Sequence, residues 1–369
     1  MNFSFKYVLT GVLFFCSCAS LKNQRAAQQD VLMATDLLPY GRTWITNDKL
    51  ELISSAVHFG FSFEGDGCDV YASLPEWMDH NYLQYELDGV YQKRIKISKG
   101  QNGPVHLTAS GSGRHTVWIY KATEATTGAI FIEKILGKNL KALPDSHAPL
   151  IEFIGNSITC GAASDVSEVP CGTGVYHDQH NSYYAYGPRV ARKLGANYIV
   201  SGVSGIGIYR TWNREEPSMP QVYDKADFGV ESSRTWDFNK YNPQIVSIAL
   251  GTNDLSNGDG KTPRASFDSA RFVNSYVTFV QFVKSKYPAA QIVLLNSPMV
   301  AGERNSLLQN CLAAVKKKMD SLYSSGKPVA VFAFKPMHAR GCTGHPGVED
   351  HEILAEELYP FLKNLLEHL

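Results

Sequence analysis

The chain has 369 residues, 44% of them hydrophobic and 19% charged, with 35 basic side chains against 35 acidic ones. That composition supports a large buried core, and the length suits about two domains. A formal net charge of zero and the lack of any long basic block argue against nucleic acid or an anionic membrane surface as a partner.

Residues 1–18 read as a secretory signal. Lys6 precedes an apolar run from Tyr7 to Phe15 that is too short to span a bilayer, and small residues follow it. Cys18 comes directly after Ser17, as the lipidated first residue of a bacterial lipoprotein would, so the mature chain would meet a membrane through a lipid anchor only. A plain cleaved signal is the alternative, and Cys16, behind bulky Phe15, fits lipidation less well. Residues 19–36 are polar with no core face and read as a tether. Residues 37–140 alternate apolar and polar positions in short runs, among them "AVHFGFSFEG", "CDVYASL", "YLQYELDG", "HTVWIYKAT" and "GAIFIEKIL". This pattern predicts an all-β, jelly-roll-like sandwich of about eight strands. Residues 141–149, with Pro144 and Pro149, form a linker.

From residue 150 to 369 the texture changes. Strand-like "LIEFIG", "ANYIVSG", "QIVSIALG", "QIVLLNS" and "VAVFAF" alternate with helical patterns. One helix shows Phe272, Val273, Tyr276, Val280 and Val283 at helical spacing behind Ser266 as N-cap. Such alternation predicts a three-layer α/β domain with a parallel sheet, whose ligands bind beyond the carboxyl ends of the strands.

Four blocks fall on that sheet edge: "GNS" ending at Ser157, "SGVSGIG" with Gly205, "LGTND" with Asn253, and "GHP" with His345. Together they supply a hydroxyl, glycine N–H groups, an amide and an imidazole. An acyl-transfer site needs this set: a serine requires a neighbouring base, and the tetrahedral intermediate requires donors for its oxyanion. Pro346 keeps His345 on extended backbone ahead of the last helix. Each block also has a structural reading. Ser157 can be a helix N-cap, Gly205 backbone relief, Asn253 a turn residue and Asp254 a structural carboxylate.

In these blocks the sequence resembles the SGNH hydrolases. It is most similar to carbohydrate esterase family two, whose members join an N-terminal β-sandwich to such a domain and read alike at "NSITCG", "SGIGIYR" and "LGTND". The resemblance implies Ser157 as nucleophile and His345 as general base, then acid. It implies an oxyanion hole of the Ser157 and Gly205 N–H groups with the Asn253 side chain, and no metal or other cofactor. It implies a serine esterase acting on acetylated polysaccharide, xylan or mannan. Two departures stand out. Asn156 replaces the usual aspartate before the serine, and Cys342 occupies the position, three before the histidine, where an aspartate usually orients it. Family two includes members in which a backbone carbonyl takes that role, so a Ser157–His345 dyad steadied by a main-chain oxygen near Cys342 or Thr343 is expected. Asp350 is the alternative orienter, although one turn into the last helix it should point elsewhere.

Several residues remain open. Tyr209, Trp212 and Trp236 lie in the insertion after the second strand and can either stack on a sugar or pack the insertion's own core. Tyr183, Tyr184 and Tyr186 read as packing residues. His177 and His180 have a metal-like spacing, but no ligand set accompanies them in the sequence. Cys68, Cys160, Cys171, Cys311 and Cys342 are odd in number, so at least one is free. Cys160 and Cys342 flank two of the blocks, but no pairing is assigned. Two rival functions remain: a lipase or lysophospholipase on the same fold, and a carbohydrate-binding protein with a weakened hydrolase domain.

Overall fold

The computed structural model describes residues 1, 2, 4, 30–101 and 103–369. Cys18 and residues 19–29 of the expected tether lie outside these. The first nine strands are β1 (Asp30–Met33), β2 (Thr43–Thr46), β3 (Lys49–Leu52), β4 (His58–Ser73), β5 (His80–Leu87), β6 (Val90–Ser98), β7 (Val105–Thr108), β8 (Arg114–Lys121) and β9 (Ile130–Ala142). They form an antiparallel sheet in the order β2-β3-β9-β4-β8-β5-β6, with β1 added to β9 and β7 to β4.

Three details depart from the sequence reading. Within the segment 19–36, Asp30–Met33 are not tether but a strand paired with Gly137 to Lys134. The strand β3 was hidden in an irregular stretch. It is joined to β2 by Asn47 and Asp48, both at positive φ (49° and 60°), the conformation of a tight hairpin turn. The runs "AVHFGFSFEG" and "CDVYASL" are a single strand, β4, with register shifts at Ser62/Glu64 and Glu64/Asp69. Such irregularities bend a strand and increase its twist. Ahead of them β4 is buried on both sides. Phe59, Phe61 and Phe63 fill the β core, while the His58 ring packs 4.4 Å from that of Tyr198 in the second domain.

The second domain has a parallel sheet of β10 (Leu150–Gly155), β11 (Asn197–Gly202), β12 (Ile245–Ala249), β13 (Gln291–Leu295) and β14 (Ala330–Phe332), in the order β11-β10-β12-β13-β14. Its helices are α1 (Ser157–Cys160), α2 (Tyr186–Leu194), α3 (Met219–Val222), α4 (Ser269–Lys286), α5 (Gly302–Leu322) and α6 (Val348–Glu367). Successive strand residues point to opposite faces. Ile151, Phe153, Val293 and Leu295 pack with Val190 of α2 and Leu358 of α6. Ile154, Ile248, Ile292 and Leu294 pack with Phe279 of α4 and Leu312 of α5. The result is the three-layer α/β architecture. Helix α4 is capped by Asp268, whose carboxylate accepts the Arg271 N–H at 2.9 Å, rather than by Ser266. A carboxylate there also faces the positive end of the helix.

The domains are locked together by Arg42, which is fully buried. From the β domain its guanidinium donates to the carbonyls of Tyr223 (2.7 Å) and Lys225 and lies 4.1 Å from the Phe228 ring centre. Its Nε donates to Ser201 Oγ on β11, which in turn donates to buried Glu152 on β10 at 2.6 Å. The β domain is thereby fixed to the strands that carry the site.

Candidate active site

Strand β10 stops at Gly155, where a Cβ would lie 2.1 Å from Thr159 Oγ1. The turn into α1 is capped by Asn156, whose Oδ1 accepts the Ile158 N–H at 3.1 Å. Ser157 is therefore not the cap. It is the first helical residue, with an N–H that has no intrahelical partner.

His345 is on extended backbone (φ −93°, ψ 157°), as Pro346 predicts, and its Nε2 lies 2.9 Å from Ser157 Oγ. Its Nδ1 lies 3.0 Å from Thr343 Oγ1 and 3.3 Å from the Cys342 carbonyl. Thr343 Oγ1 itself donates to that carbonyl at 2.8 Å, so its lone pairs face Nδ1. This arrangement puts the imidazole proton on Nδ1 and leaves Nε2 able to accept the serine proton. Burial holds the His345 pKa below the ordinary histidine value and neighbouring His180 adds to this, while the Cys342 carbonyl and Glu124 oppose it. The ring is thus neutral and basic near pH 7. Thr343 sits at φ +53°, a strained conformation for a β-branched residue.

Asp350 plays no part in this contact. Its carboxylate accepts the N–H groups of Gly347 and Arg340, each at 2.8 Å, and Arg340 Nε at 2.6 Å, closing the start of α6. Cys342 is bonded to Cys171, not to Cys160, and Cys68, Cys160 and Cys311 are free and buried.

The donor side comes from the loops after β11 and β12. Gly205 has φ +76°, and a Cβ there would lie 2.7 Å from Trp212 Cδ1. Its carbonyl accepts the Trp212 N–H at 2.8 Å. Asn253 Nδ2 donates one hydrogen to the Ile206 carbonyl at 2.7 Å. Fully buried Asp254 ties the two loops together by accepting the N–H groups of Ile208 and Tyr209 at 3.0 Å. Burial pushes its pKa up to about 6 against the pull of these donors. Gly207 makes room for it, since a Cβ would lie 2.3 Å from its Oδ2.

Ser157, Gly205, Asn253 and His345 line one cleft of about 480 Å³ together with Trp212 and Tyr176. Trp212 is 41% exposed, whereas Tyr209 and Trp236, at 6% and 5%, do not reach the cleft. Tyr209 packs against Phe267 and Phe272, and Trp236 stacks on Tyr241 beside Arg42. Both are packing residues, but Tyr209 packs against Phe272 of α4 and Trp236 against Arg42 of the β domain, so they join the insertion to its neighbours rather than fill a core of its own. Tyr176, 40% exposed, was missed. It sits beside the histidine pair noticed in "VYHDQHN", but nothing in the sequence links that segment to the cleft.

The pair itself divides. His180 is fully buried near Glu124. His177 joins His80 and Asp178, whose potential ligand atoms lie within 4.8 Å of one another. The Asp178 carboxylate there accepts from His80 Nε2 (2.6 Å), Tyr82 (2.8 Å) and the Val175 N–H (2.7 Å). Asp178 is adjacent to His177 in the chain, whereas His80 is supplied by β5, almost a hundred residues away.

A serine and a histidine in contact at the strand ends of a three-layer α/β domain, in one cleft with Gly205 and Asn253, have the layout of a serine acyl-hydrolase. Residues 153–342, just over half the chain, match the GDSL-like Lipase/Acylhydrolase family, and residues 40–145 match the Carbohydrate esterase 2 N-terminal family. The chain belongs to the GDSL-like lipase/acylhydrolase family. It is 31% identical over 300 residues to the cellulase/esterase CelE of Acetivibrio thermocellus, covering 78% of this chain but 34% of that protein, so the chain spans about a third of that relative's length. It is 24% identical to an acetylxylan esterase / glucomannan deacetylase of Cellvibrio japonicus, over 98% of each chain. The structure of a family two carbohydrate esterase from Clostridium thermocellum in complex with cellohexaose superposes with a TM-score of 0.77 at 26% identity, covering 90% of this chain and all of that one.

Proposed function

We propose that the protein is an exported serine esterase that removes O-acetyl groups from plant cell-wall polysaccharide, with xylan the first substrate and acetylated mannan the second. The observation that carries this reading is the 2.9 Å contact between Ser157 Oγ and His345 Nε2 inside the cleft. Ser157 attacks the acetyl carbonyl while His345 takes its proton. The oxyanion is received by the Ser157 and Gly205 N–H groups and the second Asn253 amide hydrogen. His345 then gives the proton to the departing sugar oxygen, which leaves as the hydroxyl, and a water activated by His345 releases acetate from Ser157. Trp212 and Tyr176 offer aromatic faces to a sugar ring. The substrate class is supported by the acetylxylan esterase / glucomannan deacetylase relative.

The test is a panel of acetylated xylan, acetylated glucomannan, p-nitrophenyl butyrate and a phospholipid. Acetate release from the polysaccharides is expected to exceed turnover of the other two and to vanish in Ser157→Ala. Acetate release that survives Ser157→Ala refutes the assignment. Dominant phospholipid turnover favours the lipase reading, and polysaccharide binding without turnover favours the binding-module reading.

Export is supported by the apolar run from Tyr7 to Phe15 and by the disulfide, which persists in oxidising compartments. No helix among the described residues is long and apolar enough to cross a membrane. Cys18 is the proposed lipidation site. Wild-type chains expressed in a bacterium are expected in the membrane fraction and Cys18→Ser chains in the soluble one; equal partitioning of the two rules the anchor out.

A further inference from the structure

Glu124 belongs to the β domain, in the turn between β8 and the short 3-10 segment Ala125–Thr127, yet its carboxylate ends in the α/β domain. The residue is 1% exposed. Its Oε2 accepts the Ser204 N–H at 2.6 Å, and its Oε1 lies 3.6 Å from His180 Nε2. His180 Nδ1 accepts the Ala163 N–H at 3.2 Å, which places the ring proton on Nε2, facing Glu124. The turn is pinned from behind by fully buried Lys121, whose Nζ donates to the carbonyls of Thr123 (3.1 Å) and Glu124 (2.6 Å). Burial alone would raise the Glu124 pKa, but His180 and the Ser204 contact outweigh it and hold the carboxyl below its ordinary value.

Burying such a charged group is costly unless its partners compensate, and its one backbone partner in the second domain is next to the oxyanion loop. The Ser204 N–H belongs to the peptide before the one that carries the Gly205 N–H. The Gly205 carbonyl, held by the Trp212 N–H at 2.8 Å, belongs to the peptide after it. The peptide that presents the Gly205 donor is therefore flanked by two pinned neighbours, one held from the β domain and one by the cleft tryptophan. Gly205 at φ +76° has a wide conformational range of its own, so this outside restraint is what aims its N–H.

We propose that Glu124 is a positioning residue for the oxyanion hole, by which the β domain completes the catalytic site of the α/β domain. This rests on the esterase reading above. The Ser204 N–H is held by an ionised acceptor, and such charge-assisted bonds are stronger and better fixed than neutral ones. The β domain thus takes part in turnover through a residue that does not itself line the cleft.

The test compares the full-length wild type, Glu124→Ala and Glu124→Gln on acetylated xylan and p-nitrophenyl acetate. Losing one oxyanion donor outright costs about 10²- to 10³-fold in kcat, so misaiming one predicts a loss of about 10- to 100-fold in Glu124→Ala with KM within about threefold. The Glu124→Gln amide oxygen can still accept the Ser204 N–H but without the charge, so this variant is expected to be about three- to tenfold faster than Glu124→Ala and still at least about threefold slower than wild type. A folded Glu124→Ala protein with wild-type kcat overturns the proposal. So does a loss confined to KM, or a Glu124→Gln protein that stays folded and is no faster than Glu124→Ala. Should Glu124→Ala fail to fold, Glu124→Gln decides against wild type: a fall in kcat at unchanged KM supports the proposal, and unchanged kcat overturns it. Failure of the underlying esterase reading looks different, because wild type and Ser157→Ala would then turn over alike.

Discussion

His345→Ala is expected to lower kcat by about 10⁶-fold, the scale for losing the base of a serine–histidine unit, while Asp350→Asn changes kcat by less than about threefold. The contrast follows from the contacts. His345 Nδ1 faces Thr343 Oγ1 at 3.0 Å and the Cys342 carbonyl at 3.3 Å, and the Asp350 carboxylate is fully engaged by Gly347 and Arg340. Asp350→Asn weakens charge-assisted bonds at the start of α6 and should cost about 1–3 kcal/mol of stability, read as a lower thermal midpoint. The pH profile gives a second check. With neutral His345 as the proposed base, kcat/KM is expected to fall as pH drops through its pKa. That pKa is lowered, chiefly by burial, so the acid limb should lie below the ordinary histidine value near 6.5 and move little in Asp350→Asn. If Asp350→Asn lost activity on the scale of His345→Ala, the assignment of the Nδ1 partners would be wrong.

The four blocks of the proposed site are readable in the sequence because each is local. A serine at a strand end, a glycine loop, an asparagine turn and a histidine before proline each occupy a few consecutive residues, and strand–helix alternation places them on one edge. What escaped the reading was set by distance along the chain or by burial. The Thr343 hydroxyl stands two residues from His345, but it can face Nδ1 only because the backbone takes a left-handed conformation that the letters "CTGH" do not announce. Glu124 reaches Ser204 from another domain, and Cys171 pairs with Cys342 across 171 positions. Aromatic residues in one insertion look alike in sequence, yet Trp212 faces the cleft while Tyr209 and Trp236 are buried. Strand β1 was hidden because a four-residue edge strand with one buried residue, Leu32, carries almost no pattern.

The Cys171–Cys342 disulfide occupies the place where relatives of the SGNH type usually hold an aspartate, and its removal is expected to damage both stability and turnover. A bond closing a loop of this length (a separation of 171 residues) restrains the unfolded chain strongly, and its loss should cost about 2–5 kcal/mol. The effect on turnover has a separate origin. Cys342 supplies the carbonyl that meets both Thr343 Oγ1 and His345 Nδ1, and Cys171 anchors the segment leading to Tyr176 on the cleft wall. Thr343 at φ +53° resists this geometry, so it must be held from outside. Backbone bonds add to this restraint, since the Cys342 N–H donates to the Ala163 carbonyl and the Gly341 N–H to that of His345, each at 2.8 Å. They limit the displacement, and a shift of less than about 1 Å predicts a loss of about 10- to 100-fold in kcat for Cys171→Ser/Cys342→Ser, with KM raised through Tyr176. Thermal unfolding and steady-state kinetics on the double variant, and on wild type before and after reduction with thiols counted, separate the two effects. A lower midpoint with unchanged kcat would mean that the backbone bonds alone place the Cys342 carbonyl. A parallel fall in both would mean that the disulfide, standing in the aspartate's position, steadies the catalytic histidine through the chain rather than through a charge.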